Sequence, residues 1–273
     1  MDNNKTCKTY DITRYQNNVI SREKQDFVLE EPLLITIEDT PYSTLIRTPG
    51  NETELAAGLC LSEGIIQSHS DIASIDFCIN SDKNRITVKL ADKNKKEIRK
   101  RLEKKRFINQ LSGEISSEKM INDLTQNINI ADHKFNITPQ QINIILEKFF
   151  NRQKYYAKTR GTHAVALFNS RLNIISQGED VGRHNAMDKA IGFLLINNKM
   201  ADIRLAALSS RISFEIIQKT AQAKIPILIS LSNPTSMAVE IALKLNMTII
   251  NMDKKTDGFI VSCGDKRVKQ NKR

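Results

Sequence analysis

Between Thr162 and Ser262, short apolar runs of strand length alternate with helical stretches, and that alternation constrains the fold more than any other feature of the chain. Thr162 to Leu167 and Arg171 to Ser176 read as a β-hairpin around Asn169-Ser170. Strands at Leu205 to Leu208, Pro226 to Leu231, Met247 to Asn251 and Phe259 to Ser262 are interleaved with helices at Ser213 to Ala223 and Thr235 to Leu245. Such an order gives a three-layer α/β/α domain with a mixed sheet. The hairpin delivers the chain to Gly178-Glu-Asp-Val-Gly-Arg-His-Asn-Ala-Met-Asp-Lys-Ala-Ile-Gly192, where Ala186, Met187, Ala190, Ile191, Leu194 and Leu195 recur at three- and four-residue spacing. An amphipathic helix therefore starts near Arg183, with Asp180 and Asn185 as candidate caps. Glycines 178 and 182 let the backbone approach a ligand at that helix start.

The first half reads as a smaller α+β unit. Residues 1 to 26 are polar and patternless up to Val19-Ile20, a loose leader with room for one strand. Strand-like runs flank Pro32, and Tyr42 to Thr48 forms another before the turn Pro49-Gly50-Asn51. Glu52 to Gly64 reads as a helix with an acidic first turn, and Ile75 to Ile79 with Arg85 to Leu90 as a strand pair. Lys93 to Arg106 is a solvated basic helix, residues 107 to 118 a polar loop and Asn129 to Asn136 a linker. The domain boundary falls there, giving a small domain over 1 to 136 and the α/β domain over 137 to 273. Thr138-Pro139 opens the helix that carries Ile142, Ile145, Leu146 and Phe149.

A formal net charge of +10 and a pI near 9.4 call for an anionic partner such as a phosphate, a nucleotide or nucleic acid. Aromatic residues do not interleave with the basic helix or with the tail Lys266 to Arg273, so both read as solvated and nucleic acid is the disfavoured choice. Cys7, Cys60, Cys78 and Cys263 form no CxxC pair, which argues against a zinc ribbon, a thioredoxin-type motif or a secreted disulfide scaffold. Cys60 and Cys78 are expected in the core. No apolar run approaches the ~20 residues of a membrane span, and the first residues carry no signal-peptide core, so the expected location is the cytoplasm.

Three strand-to-helix junctions share one chemistry: Asp180 to Asn185, Ser209-Ser-Arg-Ile-Ser213 and Ser230-Leu-Ser-Asn-Pro-Thr-Ser236. In an open α/β sheet such junctions converge where strands end. Asp180, Arg183, His184, Asn185, Ser210, Arg211, Ser213, Thr235 and Ser236 would then offer hydroxyls, free amides and two guanidinium groups to one phosphate-bearing ligand. Any one of these helix starts alone is an ordinary cap, worth ~1 kcal/mol. His184 lies between Asp180 and Asp188, which can hold one tautomer, whereas His163 in Thr159-Arg-Gly-Thr-His163 reads as a hydrogen-bonded structural residue. The element order also resembles the cytidine deaminase architecture. Ala186 stands where that chemistry needs a Glu, and Ser210-Arg-Ile-Ser213 where it needs a Cys pair, so zinc is not expected.

Gly161-Thr-His-Ala-Val-Ala-Leu-Phe168, Glu179-Asp-Val-Gly-Arg-His-Asn-Ala-Met-Asp-Lys189, Ser210-Arg-Ile-Ser-Phe-Glu215 and Asn233-Pro-Thr-Ser236 closely resemble motifs of the FdhD/NarQ family, the formate dehydrogenase accessory sulfurtransferases. Glu30-Glu-Pro-Leu33, Thr48-Pro-Gly-Asn51 and Leu61-Ser-Glu-Gly-Ile-Ile66 resemble it as well. The resemblance implies a cytidine-deaminase-like C-terminal domain, a smaller N-terminal α/β domain and a homodimer. It also implies an activity, the passage of persulfide sulfur from a cysteine desulfurase to the molybdenum bis(molybdopterin guanine dinucleotide) cofactor needed by the formate dehydrogenase catalytic subunit. That cofactor carries pyrophosphates, which suits an anion-binding helix edge.

Two departures from the family follow. Its sulfur-carrying Cys-Gly-x-Cys-Gly loop matches Leu111-Ser-Gly-Glu-Ile-Ser-Ser117, and the cysteine positions fall within Ser112 to Ser116, on Ser112 and Ile115 or on Gly113 and Ser116. A hydroxyl cannot hold a persulfide, since the chemistry needs a thiolate. Its C-terminal cofactor-binding segment matches Met252, Asp253, Lys254, Lys255, Thr256 and Asp257, where lysines keep the charge of arginines but lose their bidentate fork. The alternative to a sulfurtransferase is therefore a non-catalytic chaperone or scaffold for the cofactor.

Overall fold

The computed structural model describes residues 6–77, 84–92, 135–253, 255–256 and 258–269, together with positions 95, 96, 102, 121, 122, 124, 125, 128 and 130. The basic helix and the polar loop expected over 93 to 118, Cys78, Lys254, Asp257 and the last four residues fall largely or wholly outside them.

Six strands of the second half form a mixed sheet in the order β12-β11-β10-β9-β7-β8. They are β7 (His163–Phe168), β8 (Ile174–Asp180), β9 (Leu205–Leu208), β10 (Ile227–Ser230), β11 (Thr248–Asp253) and β12 (Gly258–Cys263). β9, β10 and β11 run parallel, while β7 is antiparallel to both β8 and β9, and β12 to β11. Side chains alternate between the two faces, as the pleat requires. Ala164, Ala166, Phe168, Leu205, Ala207, Ile227 and Ile229 pack under α2 (Pro139–Arg152) through Ile142, Ile145, Leu146 and Phe149. Val165, Leu167, Ala206, Leu208 and Leu228 face α4 (Arg183–Ile196), α5 (Phe214–Gln222) and α6 (Ser236–Lys244). The mixed α/β order expected from the sequence is thus present. Thr138 opens α2 with a reciprocal capping box to Gln141.

In the first half, β3 (Glu31–Ile37), β4 (Thr40–Arg47), β5 (Ile72–Phe77) and β6 (Arg85–Leu90) form a sheet in the order β4-β3-β6-β5. Helix α1 (Glu52–Ser62) lies between that sheet and α4, and every residue from Leu55 to Ser62 is buried. A helix apolar on all sides has no solvent face to give up. The crossing of α1 and α4 is made by glycines. A Cβ on Gly58 would fall 1.9 Å from the Asp188 carbonyl oxygen, and one on Gly192 1.8 Å from that of Glu54.

Four expectations are corrected. The supposed leader is a hairpin of β1 (Cys7–Gln16) and β2 (Val19–Val28), joined by Asn17-Asn18 with both residues at positive φ, the type I′ geometry that two-residue hairpins favour. Helix α4 is not amphipathic, because α1 covers the side that would have met water and residues 185 to 192 are all buried. Strand β8 begins later than expected and runs on to Asp180, so Gly178 serves helix packing, its absent Cβ leaving room for the Ala186 carbonyl. Neither Asp180 nor Asn185 caps α4, whose N-cap is Gly182 without a side-chain bond. The short helix α3 (Lys154–Thr159) between α2 and β7 was not foreseen.

Candidate functional site

The sheet register brings the helix starts to one edge. Strands β8, β9, β10 and β11 all end there, at Asp180, Leu208, Ser230 and Asp253, and β7 begins there at His163. Asp253 of β11 pairs with Gly258 of β12 at the same edge.

The first junction is locked from beneath by a buried ion pair. Asp180 is fully buried, and Lys189 Nζ lies 2.7 Å from its Oδ2 while donating to the Thr48 carbonyl at 2.8 Å. Asp180 also accepts from the backbone amides of Thr48 (3.1 Å) and Gly182 (2.8 Å) and from Asn185 Nδ2 (3.0 Å), and Asn185 reaches the Ile46 carbonyl. Thr48 Oγ1 accepts from the Val181 amide. Asp180 and Asn185 therefore spend their polar atoms inside the protein, tying the end of β4 to the start of α4. What they hold in place is Arg183, half-buried at the first helical position, whose Nε is buried without a hydrogen-bond partner among the described residues. Unpaired buried donors of this kind are rare and cost about 1–3 kcal/mol.

The second and third junctions are stitched together. Ser230 Oγ donates to the Ser210 carbonyl at 2.7 Å and accepts from the Ser232 amide, and the Thr235 amide donates to the Ile212 carbonyl. Thr235 caps α6 by accepting from the Ala238 amide. Ser213 precedes α5 without a cap bond, Ser210 is buried, and Arg211 and Ser236 are exposed. Asn251 reaches from β11 to Asn233 at 2.9 Å, which fixes the third junction to the strand beside it. Met252 is half-buried, Lys255 and Thr256 are exposed, and Asp253 turns its carboxylate to the Lys255 amide and the Thr256 hydroxyl. The Thr256 bond holds that carboxyl below its usual range.

Between the first two junctions lies a cleft of about 360 Å³ lined by Tyr156, Arg160, Gly161, Thr162, His163, Val181, Ser209 and Leu231, with Phe150 and Gln153 at its α2 side. Its wall from α3 to β7 is positioned by Glu179, which accepts from the amides of Lys154 (2.7 Å), Tyr155 (2.9 Å) and Tyr156 (3.0 Å) at the start of α3. Arg160 lies over the Tyr156 ring, 5.2 Å from its centroid. His163 Nδ1 is 3.3 Å from Ser209 Oγ, which accepts from the Ala164 amide. Burial lowers the His163 pKa, and the Arg183 guanidinium lowers it further against the weaker pull of Asp180. Sequence reasoning set His163 aside and passed over Arg160 and Tyr156. The available signal was a basic residue and a histidine bracketing a glycine just ahead of a strand.

A second cleft, of about 320 Å³, opens on the other side of the α4 start, between β4, α1, α4 and α5. His184 points here, its Nε2 3.1 Å from Glu215 Oε2, over a floor where Lys219 Nζ lies 2.7 Å from Asp188 Oδ2 and Ser62 donates to Asp188 Oδ1. Burial lowers the His184 pKa, with Glu215 opposing it. Adjacent residues of one motif thus act apart: the Arg183 guanidinium is near enough to lower the His163 pKa, while His184 pairs with Glu215 in the second cleft.

The loop matched to Ser112 through Ser116 lies outside the described residues. Cys7, Cys60 and Cys263 are buried, and burial raises the Cys263 thiol pKa. No described helix is long and apolar enough to cross a membrane.

The model of the FdhD/NarQ family matches residues 28–269. A protein named Sulfur carrier protein FdhD from Saccharolobus solfataricus is 33% identical over 249 residues, covering 89% of this chain and 91% of its own length. One of the same name from Streptomyces coelicolor is 32% identical over 251 residues, 88% of each chain, and one from Corynebacterium efficiens is 34% identical over 247 residues, 84% of this chain and 89% of its own. Among solved structures, one described as a formate dehydrogenase accessory protein from Desulfotalea psychrophila superposes with a TM-score of 0.76 at 20% identity, covering 97% of this chain and all of its own. With a family model spanning the two sheets and their shared core, and relatives above 30% identity along most of their length, this chain belongs to the FdhD/NarQ family.

Proposed function

We propose that this protein is a formate dehydrogenase accessory protein that holds the molybdenum bis(molybdopterin guanine dinucleotide) cofactor by its phosphates at the strand-end edge. In this reading the cofactor is cargo, destined for the formate dehydrogenase catalytic subunit, and the second half is a cytidine-deaminase-like domain put to binding. The observation that carries it is Arg183, a guanidinium held at a helix start by the buried Asp180–Lys189 pair, with a buried Nε that no described residue satisfies. A phosphate oxygen at that point would meet a full charge, the positive end of the α4 dipole and the open α4 amides together. Thr235, Arg211 and the Asp253 turn at the same edge suit a ligand with several phosphates and a nucleoside at each end. The family's desulfurase is the natural sulfur donor, the cytoplasm the setting and a second copy of the chain the dimer mate.

Titration calorimetry with GDP tests this reading. Wild-type protein should bind, and Arg183→Ala should weaken binding on the order of tenfold to a hundredfold, the worth of hydrogen bonds to a charged group. Equal affinities in the two proteins would refute it.

A second reading, holding without sulfur transfer, is favoured by the cysteines. The loop segment has no thiol, and Cys7, Cys60 and Cys263 are all buried. A persulfide needs an accessible thiolate. Incubation with a desulfurase and labelled cysteine should leave no thiol-releasable label on the protein, and retained label would restore the sulfurtransferase reading.

A further inference from the structure

We propose that the β1–β2 hairpin is an association arm that pairs with the same hairpin of a second copy of this chain, β1 against β1 across a two-fold axis at Ile12. The inference builds on the expectation of a dimer mate by giving it a surface, and it is independent of the cofactor-holding reading.

The hairpin displays more apolar surface than it can support alone. Tyr10, Tyr15, Val19, Ile20 and Phe27 are five of the eleven large hydrophobic side chains exposed among the described residues. They stand on a two-stranded sheet, and such hairpins are marginal in water unless further strands join them. Attachment to the body runs through the base of β2. Asp26 pairs with Lys158 of α3 at 3.0 Å, and a Cβ on Gly161 would fall 2.9 Å from Val28. Among the described residues, no strand but β2 pairs with β1. A ten-residue strand with an unpaired edge beside exposed aromatic rings is a template for another strand.

Charge and symmetry select the occupant. The hairpin sets Lys8, Arg14, Arg22 and Lys24 against Asp11, Glu23 and Asp26, so it is nearly neutral in a chain of net charge +10. It can therefore meet its own copy without the repulsion that a strongly basic surface would impose. Two antiparallel strands related by a two-fold axis normal to their sheet oppose residues of the same face, so the axis passes through a residue. An axis at Asp11 would set that carboxylate against itself and Lys8 against Arg14, and like charges directly opposite are destabilising. An axis at Thr13 would set Ile12 against Arg14 and shorten the ladder. At Ile12 the ladder runs from Lys8 to Gln16 in both copies and opposes no like charges. Ile12 meets Ile12, Asp11 meets Thr13, and Tyr10 meets Arg14 twice, an arrangement that places a guanidinium by an aromatic ring. Tyr10, which already packs edge-to-face on Phe27 with ring centroids 5.8 Å apart, then joins Ile12 on one face of a four-stranded sheet.

Light scattering across a gel-filtration peak reads the association, and cysteine cross-linking reads the register. Wild type should elute at twice the 31.0 kDa chain mass. Ile12→Lys puts two ammonium groups on the axis and should raise the dimer dissociation constant by about tenfold or more. Its thermal unfolding should stay cooperative, because Ile12 belongs to neither apolar cluster of the core. Ile12→Cys should form an interchain disulfide on mild oxidation, since residues opposed across the axis lie within disulfide reach, and Ser21→Cys on β2 should not. Wild type treated alike gives the background from the native cysteines. A dimer that Ile12→Lys leaves as tight as before, or cross-linking no greater at position 12 than at position 21, would overturn the arm while leaving the dimer. A monomeric wild type would overturn both, with the cofactor-holding reading untouched. Should Ile12→Lys fail to fold, the comparison of Ile12→Cys with Ser21→Cys decides.

Discussion

The residues that looked most like ligand contacts in the sequence are divided between two tasks. Asp180, Asn185 and Lys189 form a buried scaffold, and Arg183 and His184 are what it presents. Removing one charge of such a pair leaves the other buried and unpaired, which is strongly destabilising. Lys189→Met should therefore lower unfolding stability by about 3–5 kcal/mol in urea titration. Asp180→Asn combined with Lys189→Met should recover much of that loss, and two equal, additive losses would argue against the pair. A pH effect belongs to the same scale. His163 and His184 both have lowered pKa values in the folded state, largely through burial, against 6.5 when unfolded. The unfolded chain thus binds more protons as pH falls through about 6.5, and that part of the stability is lost on acidification. The melting temperature of wild type should fall between pH 7 and 5.5, and His163→Gln with His184→Gln should flatten that slope. An unchanged slope would mean the rings are not held neutral.

At the scale of elements, the contact between α1 and α4 joins the two halves of the chain. Gly58 and Gly192 let the helices approach to backbone contact, and a methyl group at either would lie under 2 Å from a carbonyl oxygen. Gly58→Ala and Gly192→Ala should each cost about 1–3 kcal/mol or more as the helices separate. Because both relieve at one crossing, the double variant should cost less than the sum, a coupling that denaturant titration of all four proteins measures. The sequence carried most strands and helices of the second half to within a residue or two, since their periodicities are clean, but it misplaced β8 and did not show α3. It also carried Thr138 as a cap. It hid whatever depends on a neighbour. The face of α4 covered by α1 looked like a polar-spaced helix surface, and the β1–β2 hairpin, exposed along both strands, has no buried face to print an apolar alternation. Only Asn17-Asn18 marked it. The partnership of Asp180 with Thr48 spans more than a hundred residues and leaves no local trace, whereas the shared edge of the three junctions follows from strand order alone.

For the whole molecule, one apolar core runs from Leu33, Ile35 and Ile86 in the first sheet through α1 to Ile191, Leu208, Ile217 and Ile241. A single melting transition is therefore expected in scanning calorimetry, and two separated transitions would show that the α1–α4 contact does not couple the halves. The net charge of +10 does not bear on this core. Arg183, Arg160 and Arg211 lie at the strand-end edge, and long-range attraction of a phosphate-rich ligand to them should weaken with added salt. The most direct test is a crystal structure of the protein with GDP bound. The expected result is a phosphate within hydrogen-bond distance of the Arg183 guanidinium, at the edge where β8, β9 and β10 end. A nucleotide seated instead over His184 and Glu215, or on a surface remote from both clefts, would contradict it.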